Sequence, residues 1–452
     1  MKIIIVGCGK IGSVLVSNLV AEGHDVTAID SDPTVINELT NIYDVIGVSG
    51  NGVDCDILAE AGVAEAELFA AVTGSDEFNM LSCYIARKMG AKQTLARIRN
   101  PEYNDSSLAF LRQHLDLSMP INPERLAARE LFHVLRLPSA ANVETFSMRN
   151  FEMVELKLKS DSALDGLSLI DLRQKYPQKF LVCVVQRGEE VIIPDGNFVL
   201  KSGDKVGLTA TPAELHKLLK NLGLLKKQAR NVMILGASKT AYYLAKALIT
   251  AGNAVKIIEK NAARCEEFSE KLPDAVIIHG DGAQQELLLE EGLKSMDAFV
   301  ALTGMDEQNI LMSYFAQAQN VPKVIAKVNR DEFAPMAEHL GLDTLVSPRR
   351  TVANIIVRYA RALENSRDSS VETLYKLMDG KAEALEFIVH NDCELVDIQL
   401  KDLPLKSNIL IAGIFRNKKI LIPAGDDHIA VGDKVVILTT GHRINNLSDI
   451  LK

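Results

Sequence analysis

Apolar and polar positions alternate along this chain in blocks that switch between two periods. Lys2-Ile3-Ile4-Ile5-Val6 is a short, branched, almost wholly apolar run, the signature of a strand buried on both faces. Val14, Leu15, Asn18, Leu19 and Val20 then fall at helical spacing up to Gly23, and Asp25-Val26-Thr27-Ala28-Ile29 begins a second strand ending on Asp30. The rhythm continues. Strands are predicted at Asp44-Val45-Ile46-Gly47-Val48, at Leu68-Phe69-Ala70-Ala71-Val72 and at Thr94-Leu95-Ala96-Arg97-Ile98, with helices between them from Ile57 to Ala61 and from Phe78 to Met89. Strands alternating with helices of this length imply a parallel, doubly wound sheet whose ligands lie beyond the strand C-termini.

The pattern then changes. Val154-Glu155-Leu156-Lys157-Leu158 alternates like an edge strand, and Phe180-Leu181-Val182-Cys183-Val184-Val185 reads as a buried one. A Pro-x-Gly turn and Gly203-Asp204 punctuate further strands, and a helix is expected from Pro212 to Leu225. These elements make a small α+β domain.

The whole arrangement then repeats. Asn231-Val232-Met233-Ile234-Leu235-Gly236 restates the first strand and turn at a shift of 229 residues, and Ile422-Pro423-Ala424-Gly425 restates Ile193-Pro194-Asp195-Gly196 at the same shift. The chain is a tandem duplication. Each copy is a Rossmann-like doubly wound parallel sheet (1–135 and 229–360) followed by a small α+β domain (140–228 and 368–452). Leu137-Pro138-Ser139 and Glu364-Asn365-Ser366-Arg367-Asp368-Ser369-Ser370 read as linkers inside the copies. Only Lys226-Lys227-Gln228-Ala229-Arg230 joins the copies, so the halves are expected to pack against one another.

Composition narrows the possibilities. The 452 residues suffice for several domains; 47% are hydrophobic and 24% charged, as in an ordinary globular protein. A net charge of −9 argues against a broad nucleic-acid or anionic-lipid footprint. Six scattered cysteines contain no Cys-x-x-Cys pair, which suits a reducing compartment and offers no zinc site. No run of eighteen apolar residues exists, and the opening strand is cut short by a glycine turn, unlike a signal peptide. A cytoplasmic protein is expected, touching a membrane only through a partner.

The chemistry is concentrated in the turn after the first strand, Gly7-Cys8-Gly9-Lys10-Ile11-Gly12, a G-x-G-x-x-G sequence. Gly7 makes the tight turn, Gly9 lets the backbone approach a pyrophosphate, and Gly12 lets helix and strand pack closely. The helix N-terminus offers N–H groups to phosphates, and Asp30 can accept from ribose hydroxyls, which favours NAD(H) over a 2′-phosphorylated dinucleotide. Thr73, Gly74 and Arg97 stand at neighbouring strand ends, where Arg97 could neutralise phosphate; the plainer alternatives are a helix N-cap for Thr73 and a solvated surface charge for Arg97. The second copy presents Gly236, Ala237, Ser238, Lys239 and Thr240, with Glu259 for Asp30, Thr303 and Gly304 for Thr73 and Gly74, and Lys327 for Arg97. Ser238 in place of the middle glycine brings a Cβ and a narrower φ range to the phosphate approach, so tight dinucleotide binding is expected in the first half and weak, altered or absent binding in the second. A ribose-binding acid serves NADH, NAD⁺, ATP and ADP alike, so NAD(H) at the first site and ATP or ADP at either stay open.

Enzyme readings have less support. Tyr84-Ile85-Ala86-Arg87-Lys88 and Tyr242-Tyr243-Leu244-Ala245-Lys246 fit Tyr-x-x-x-Lys, a short pattern expected by chance on helices, and the first loses its lysine in the duplicate. The nine histidines form no His-x-x-x-His pair, so no metal site is expected. A dehydrogenase also needs a substrate domain, and here that length holds a second binding unit. A NAD(H)-dependent oxidoreductase and a nucleotide-sensing regulator without a channel are the alternatives, the latter lacking an evident helix-turn-helix.

The glycine turn, Asp30, the Thr73-Gly74-Ser75-Asp76-Glu77-Phe78-Asn79 block and Ala96-Arg97-Ile98-Arg99-Asn100-Pro101-Glu102 resemble an RCK N-terminal domain, the regulator of potassium conductance. The I-P-D-G and S-G-D-K-V signatures resemble its C-terminal partner. Two such pairs in one chain resemble the TrkA-type peripheral subunits of Trk potassium uptake systems. The resemblance implies a non-enzymatic nucleotide-binding subunit on the inner face of the cell membrane. Its expected partners are a membrane potassium channel of the Trk type and further copies of itself, in a ring of RCK domains expected as a tetramer, with no nucleic acid.

Overall fold

The structure is a computed structural model that describes the chain apart from residues 104, 138–139, 141, 147–150, 160–161, 225–227, 343, 369–370, 391–392, 418, 443 and 445. It contains two six-stranded and two five-stranded sheets. In the first, the strands run in the order Ile46–Ser49, Asp25–Asp30, Lys2–Val6, Leu68–Ala71, Thr94–Arg97 and Met119–Ile121, all parallel. The strand order reverses beside Lys2–Val6, which puts the glycine turn at the crevice where doubly wound sheets hold ligands. Ile3, Ile4 and Ile5 are fully buried, as the unbroken apolar run requires. The second large sheet repeats the order with Val276–His279, Ala254–Glu259, Asn231–Leu235, Ala298–Ala301, Lys323–Lys327 and Leu345–Val346.

The five-stranded sheets are antiparallel. One runs Glu190–Ile192, Phe180–Arg187, Lys205–Ala210, Glu152–Lys157 and Asn142–Thr145; the other is its counterpart in the second copy. The repeated Gly-Asp-Lys-Val signature has a structural cause. Asp204, 1% exposed, accepts from Arg187 Nε at 2.8 Å and from the Lys201 N–H at 2.8 Å, and Asp433 does the same with Arg416 and Ala430. Each buried carboxylate is thus fully engaged, as burial demands.

Three expectations need correction. The strand holding Val154 is not at an edge, because Lys205–Ala210 and Asn142–Thr145 flank it. Its alternation misleads because Glu155 does not face water: it is 8% exposed and accepts the Met378 N–H at 3.3 Å from the other small domain. The stretch beginning at Glu364 is helical through Asp368 as the end of a 21-residue helix, Pro348–Asp368, while Pro138, Ser139, Ser369, Ser370, Lys226 and Lys227 lie outside the described residues. The helix from Pro212 closes at Asn221, and Leu225 lies outside the described residues.

The copies are interlocked. The helix Pro123–Arg136 of the first copy buries Ala127, Ala128, Leu131, Val134 and Leu135 in the core of the second large sheet, against Leu244 and Leu248. In exchange, Val352, Ile356, Val357 and Ala360 of Pro348–Asp368 enter the first core against Leu15, Val16 and Leu19. The two exchanged helices meet where Thr351 Oγ1 donates to Glu130 Oε2 at 2.9 Å, and burial pushes the Glu130 carboxyl up. The small sheets also share a core, built from Phe146, Phe151 and Met153 on one side and Tyr375, Leu377 and Leu438 on the other.

Candidate nucleotide-binding cleft

Interlocking brings the two glycine turns to one cleft of about 990 Å³, lined by residues of both copies. Four helices start at its wall, with Lys10, Glu124, Lys239 and Arg349 in their first turns. Helix N-termini carry partial positive charge and unpaired N–H groups. The lining adds eight lysine and arginine side chains against three carboxylates, in a chain of net charge −9. Cations are therefore gathered here against the overall balance, which suits a phosphate-bearing ligand.

At the first turn, Gly7 has φ +88°, and a Cβ there would lie 2.8 Å from the Thr73 nitrogen, so a side chain is excluded by both strain and space. A Cβ on Gly12 would come within 2.1 Å of the Gly7 carbonyl oxygen, whereas one on Gly9 would meet nothing within 4 Å. Gly9 therefore faces open cleft. It is also the N-cap of helix Lys10–Ala21 and supplies no side-chain cap, which leaves the helix N–H groups for an anion. The cradle fits the pyrophosphate of a dinucleotide. Asp30 fixes the turn by accepting the Cys8 N–H at 2.6 Å and the Asp32 N–H at 3.0 Å. A carboxylate has further lone pairs, and Asp30 lines the cleft beside Gly50, Asn51 and Gly52.

The second turn is built differently. Ser238 caps its own helix, its Oγ accepting the Ala241 N–H at 3.3 Å. The serine hydroxyl thus occupies a donor that Gly9 leaves uncapped. Its φ of −85° is as ordinary as the −63° of Gly9, so capping and bulk, rather than the backbone range expected from sequence, distinguish the two. Glu259, 7% exposed, accepts the Ala237 N–H at 2.7 Å and the Asn261 N–H at 2.8 Å, and it stands outside the cleft lining.

The candidate residues consequently divide. Gly7, Gly9, Lys10, Ile11, Asp30, Thr73, Gly74 and Arg97 line the cleft with Ala237, Ser238, Lys239 and Thr240; Cys8, Gly12, Gly236, Glu259, Thr303 and Gly304 do not. The Cys8 side chain points into the core, where burial and then Asp30 push its thiol up to about 12. Burial likewise pushes Cys83 and Cys183 up to about 12. Thiol labelling of the native protein, read by mass spectrometry, is expected to modify the exposed Cys55 and spare these three; labelling of Cys8 ahead of Cys55 would contradict this placement.

Thr73 is not an N-cap, since Ser75 caps the following helix. Instead, the fully buried Asn79 accepts from Thr73 N and Oγ1 at 2.9 and 2.7 Å and donates to the Arg97 carbonyl at 2.9 Å, tying two strand ends together. Asn309 repeats the clamp on Thr303 and Lys327. Arg97 is not a solvated charge either. Its side chain is 13% exposed and 3.5 Å from Glu124, and burial, opposed by Glu124, lowers its pKa. Burial lowers that of Lys327 too.

Single-copy reasoning missed Glu124 and Arg349, because they start the exchanged helices, and weighed Tyr242, whose helix bears the second turn, only within a Tyr-x-x-x-Lys pattern and not as part of the cleft. Tyr243 bridges the copies, its hydroxyl accepting from Asn122 Nδ2 at 3.0 Å and lying 3.3 Å from the Arg99 carbonyl.

Family models described as the TrkA-N domain match residues 3–113 and 232–348, and models of the TrkA-C domain match 153–223 and 384–452. The chain belongs to the TrkA family. The Trk system potassium uptake protein TrkA homolog of Archaeoglobus fulgidus is 34% identical over 453 residues, with all of both chains covered. The Trk system potassium uptake protein TrkA of Vibrio alginolyticus is 31% identical over 443 residues, 97% of this chain and 95% of that one. Among solved structures, the GsuK channel bound to NAD aligns with a TM-score of 0.64 at 17% identity, over 97% of this chain and 77% of that chain. That likeness establishes a shared fold. The TrkA family thus accounts for the tandem duplication and for the two domain types in each copy.

Proposed function

We propose that this TrkA-family chain is the nucleotide-binding regulatory subunit of a potassium uptake system, and that nucleotide held in the cleft controls a separate membrane channel of the Trk type. The observation that carries the reading is the open, uncapped first glycine turn facing a cation-lined cleft, in a chain alike over its full length to TrkA proteins. The GsuK channel of the same fold is described as bound to NAD, which supports NAD(H) at the first turn, with ATP or ADP as the other nucleotides to be titrated. Among the described residues no helix is long and apolar enough to cross a membrane, which supports a partner that supplies the pore. Leu81 and Leu311 occupy equivalent positions in the two copies and are 50% and 58% exposed, which supports contacts between chains and a ring, proposed as a tetramer on the cytoplasmic face.

Binding without turnover is the expected mode. Lys88 of the first Tyr-x-x-x-Lys pattern pairs with Asp116 at 2.8 Å, and neither Tyr84 nor Lys88 lines the cleft. Tyr242 does line it, but Lys246 is exposed outside it. Steady NADH oxidation dependent on either tyrosine would revive an enzyme reading. Asp30→Ala is expected to weaken NADH binding by about 1–3 kcal/mol, because it removes a charged acceptor; unchanged affinity by calorimetry would refute the assignment of Asp30. The regulatory role is tested by detergent pull-down and potassium uptake. Recovery of a multi-span channel, with uptake that depends on this chain, is expected; a protein that retains no channel and leaves uptake unchanged would overturn it.

A further inference from the structure

The two glycine-turn helices end differently. Helix Lys10–Ala21 begins at the cleft and is followed by Glu22, which is 8% exposed. Glu22 Oε2 accepts from Arg361 Nε at 2.6 Å, and Glu22 Oε1 lies 3.0 Å from Lys376 Nζ. Arg361, on the exchanged helix, also donates through both terminal nitrogens to Glu383, each at 3.1 Å. Lys376 and Glu383 face each other across adjacent strands of the second small sheet. Two cations and two carboxylates therefore form one neutral, largely buried network joining three bodies: the first nucleotide domain, the exchanged helix and the second small domain.

Among the described residues, the pseudo-symmetric junction shows no equivalent network. Helix Lys239–Thr250 is followed by Ala251, whose methyl group carries no charge. Burial raises the Glu152 carboxyl and Arg136 only partly opposes it, while the residue opposite Glu152 is the uncharged Thr145. The second nucleotide domain meets the first small domain elsewhere, through Lys323 Nζ on the Ala140 carbonyl at 2.7 Å and Lys205 with Glu338 at 3.0 Å. Neither contact lies on its glycine-turn helix. A helix is a stiff rod, and a charged network with fixed hydrogen-bond geometry holds its end in one position.

From this asymmetry we infer that the Glu22–Arg361–Glu383–Lys376 network is the output coupling of the cleft. Displacement of helix Lys10–Ala21 by a phosphate-bearing ligand at its N-terminus is delivered to the second small domain, and the first small domain receives no equivalent signal. Glu22, Arg361 and Lys376 are positioning residues that never touch the ligand. The inference rests on the nucleotide reading of the first turn, and its test separates the two.

Full-length protein is followed by hydrogen exchange with and without NADH, while calorimetry measures NADH affinity on the same samples. In the wild type, NADH is expected to change exchange in Val371–Leu377 and Ala382–Ile388 more than in Glu152–Lys157. Glu22→Gln, which keeps size but removes the charge, and Lys376→Met, which removes a different charge, are each expected to bind NADH as tightly as wild type. Each is also expected to reduce the response of the second small sheet to that of the first. An undiminished response in a variant that binds normally overturns the coupling. Equal responses of both small sheets in the wild type overturn its direction. Absence of NADH binding in the wild type overturns the nucleotide reading itself and with it the inference.

Discussion

Arg361→Ala is expected to lower the stability of the chain by about 3–5 kcal/mol, the usual cost of removing one member of a buried ion-pair network. The size of the effect follows from what remains. The Arg361 side chain is 12% exposed and serves two carboxylates. Without it, the two carboxylates of the network, Glu22 and Glu383, keep one of its two cations, Lys376, and the extra negative charge must be solvated or neutralised. Burial already works to raise the Glu22 carboxyl, and Arg361 with Lys376 outweighs it and holds the group below its ordinary value. Denaturant unfolding should show the loss as a lower midpoint with the slope kept. A change below about 1 kcal/mol, the level of an exposed ion pair, would show that the network is solvated.

Leu131→Ala tests the interlocking. Leu131 belongs by sequence to the first copy, is fully buried, and packs among Leu244, Leu248 and Ile257 of the second. Truncating such a leucine costs about 2–5 kcal/mol. The damage should appear away from the mutated copy. Hydrogen exchange is expected to rise first in Asn231–Leu235 and Ala254–Glu259, while Lys2–Val6 stays protected. Loss of protection in Lys2–Val6 first would mean that the helix covers its own sheet. The same exchange explains why fragments split at residue 228 are poor tools: each half would carry a helix belonging to the other core and expose the apolar face it should have covered.

Much of the fold was legible because large parallel sheets write themselves as unbroken apolar strands, as in Ile3-Ile4-Ile5, and because the duplication repeats its motifs at a constant shift. The helix exchange was not legible. Ala127, Ala128, Leu131, Val134 and Leu135 mark an apolar face, but the same spacing would serve a helix packed on either sheet. The outer strands Met119–Ile121 and Leu345–Val346 are three and two residues long, too short to show a period. Glu155 misled for a related reason: alternation identifies a polar face, and that face here meets a second sheet rather than water. At the site, the glycine turn and Asp30 stood out by residue type. Glu124 and Arg349 did not, since a charged residue after a proline at a helix start is commonplace until tertiary structure aims it at a cleft.

The central claim is that the first copy holds the nucleotide in a cleft to which the second contributes walls and charge. Calorimetric titration of NADH into the intact chain, with Asp30→Ala and Glu259→Ala alongside, tests it most directly. One tight site per chain is expected, weakened by Asp30→Ala and little altered by Glu259→Ala. Two equal sites, or binding that falls with Glu259→Ala and not with Asp30→Ala, would contradict it.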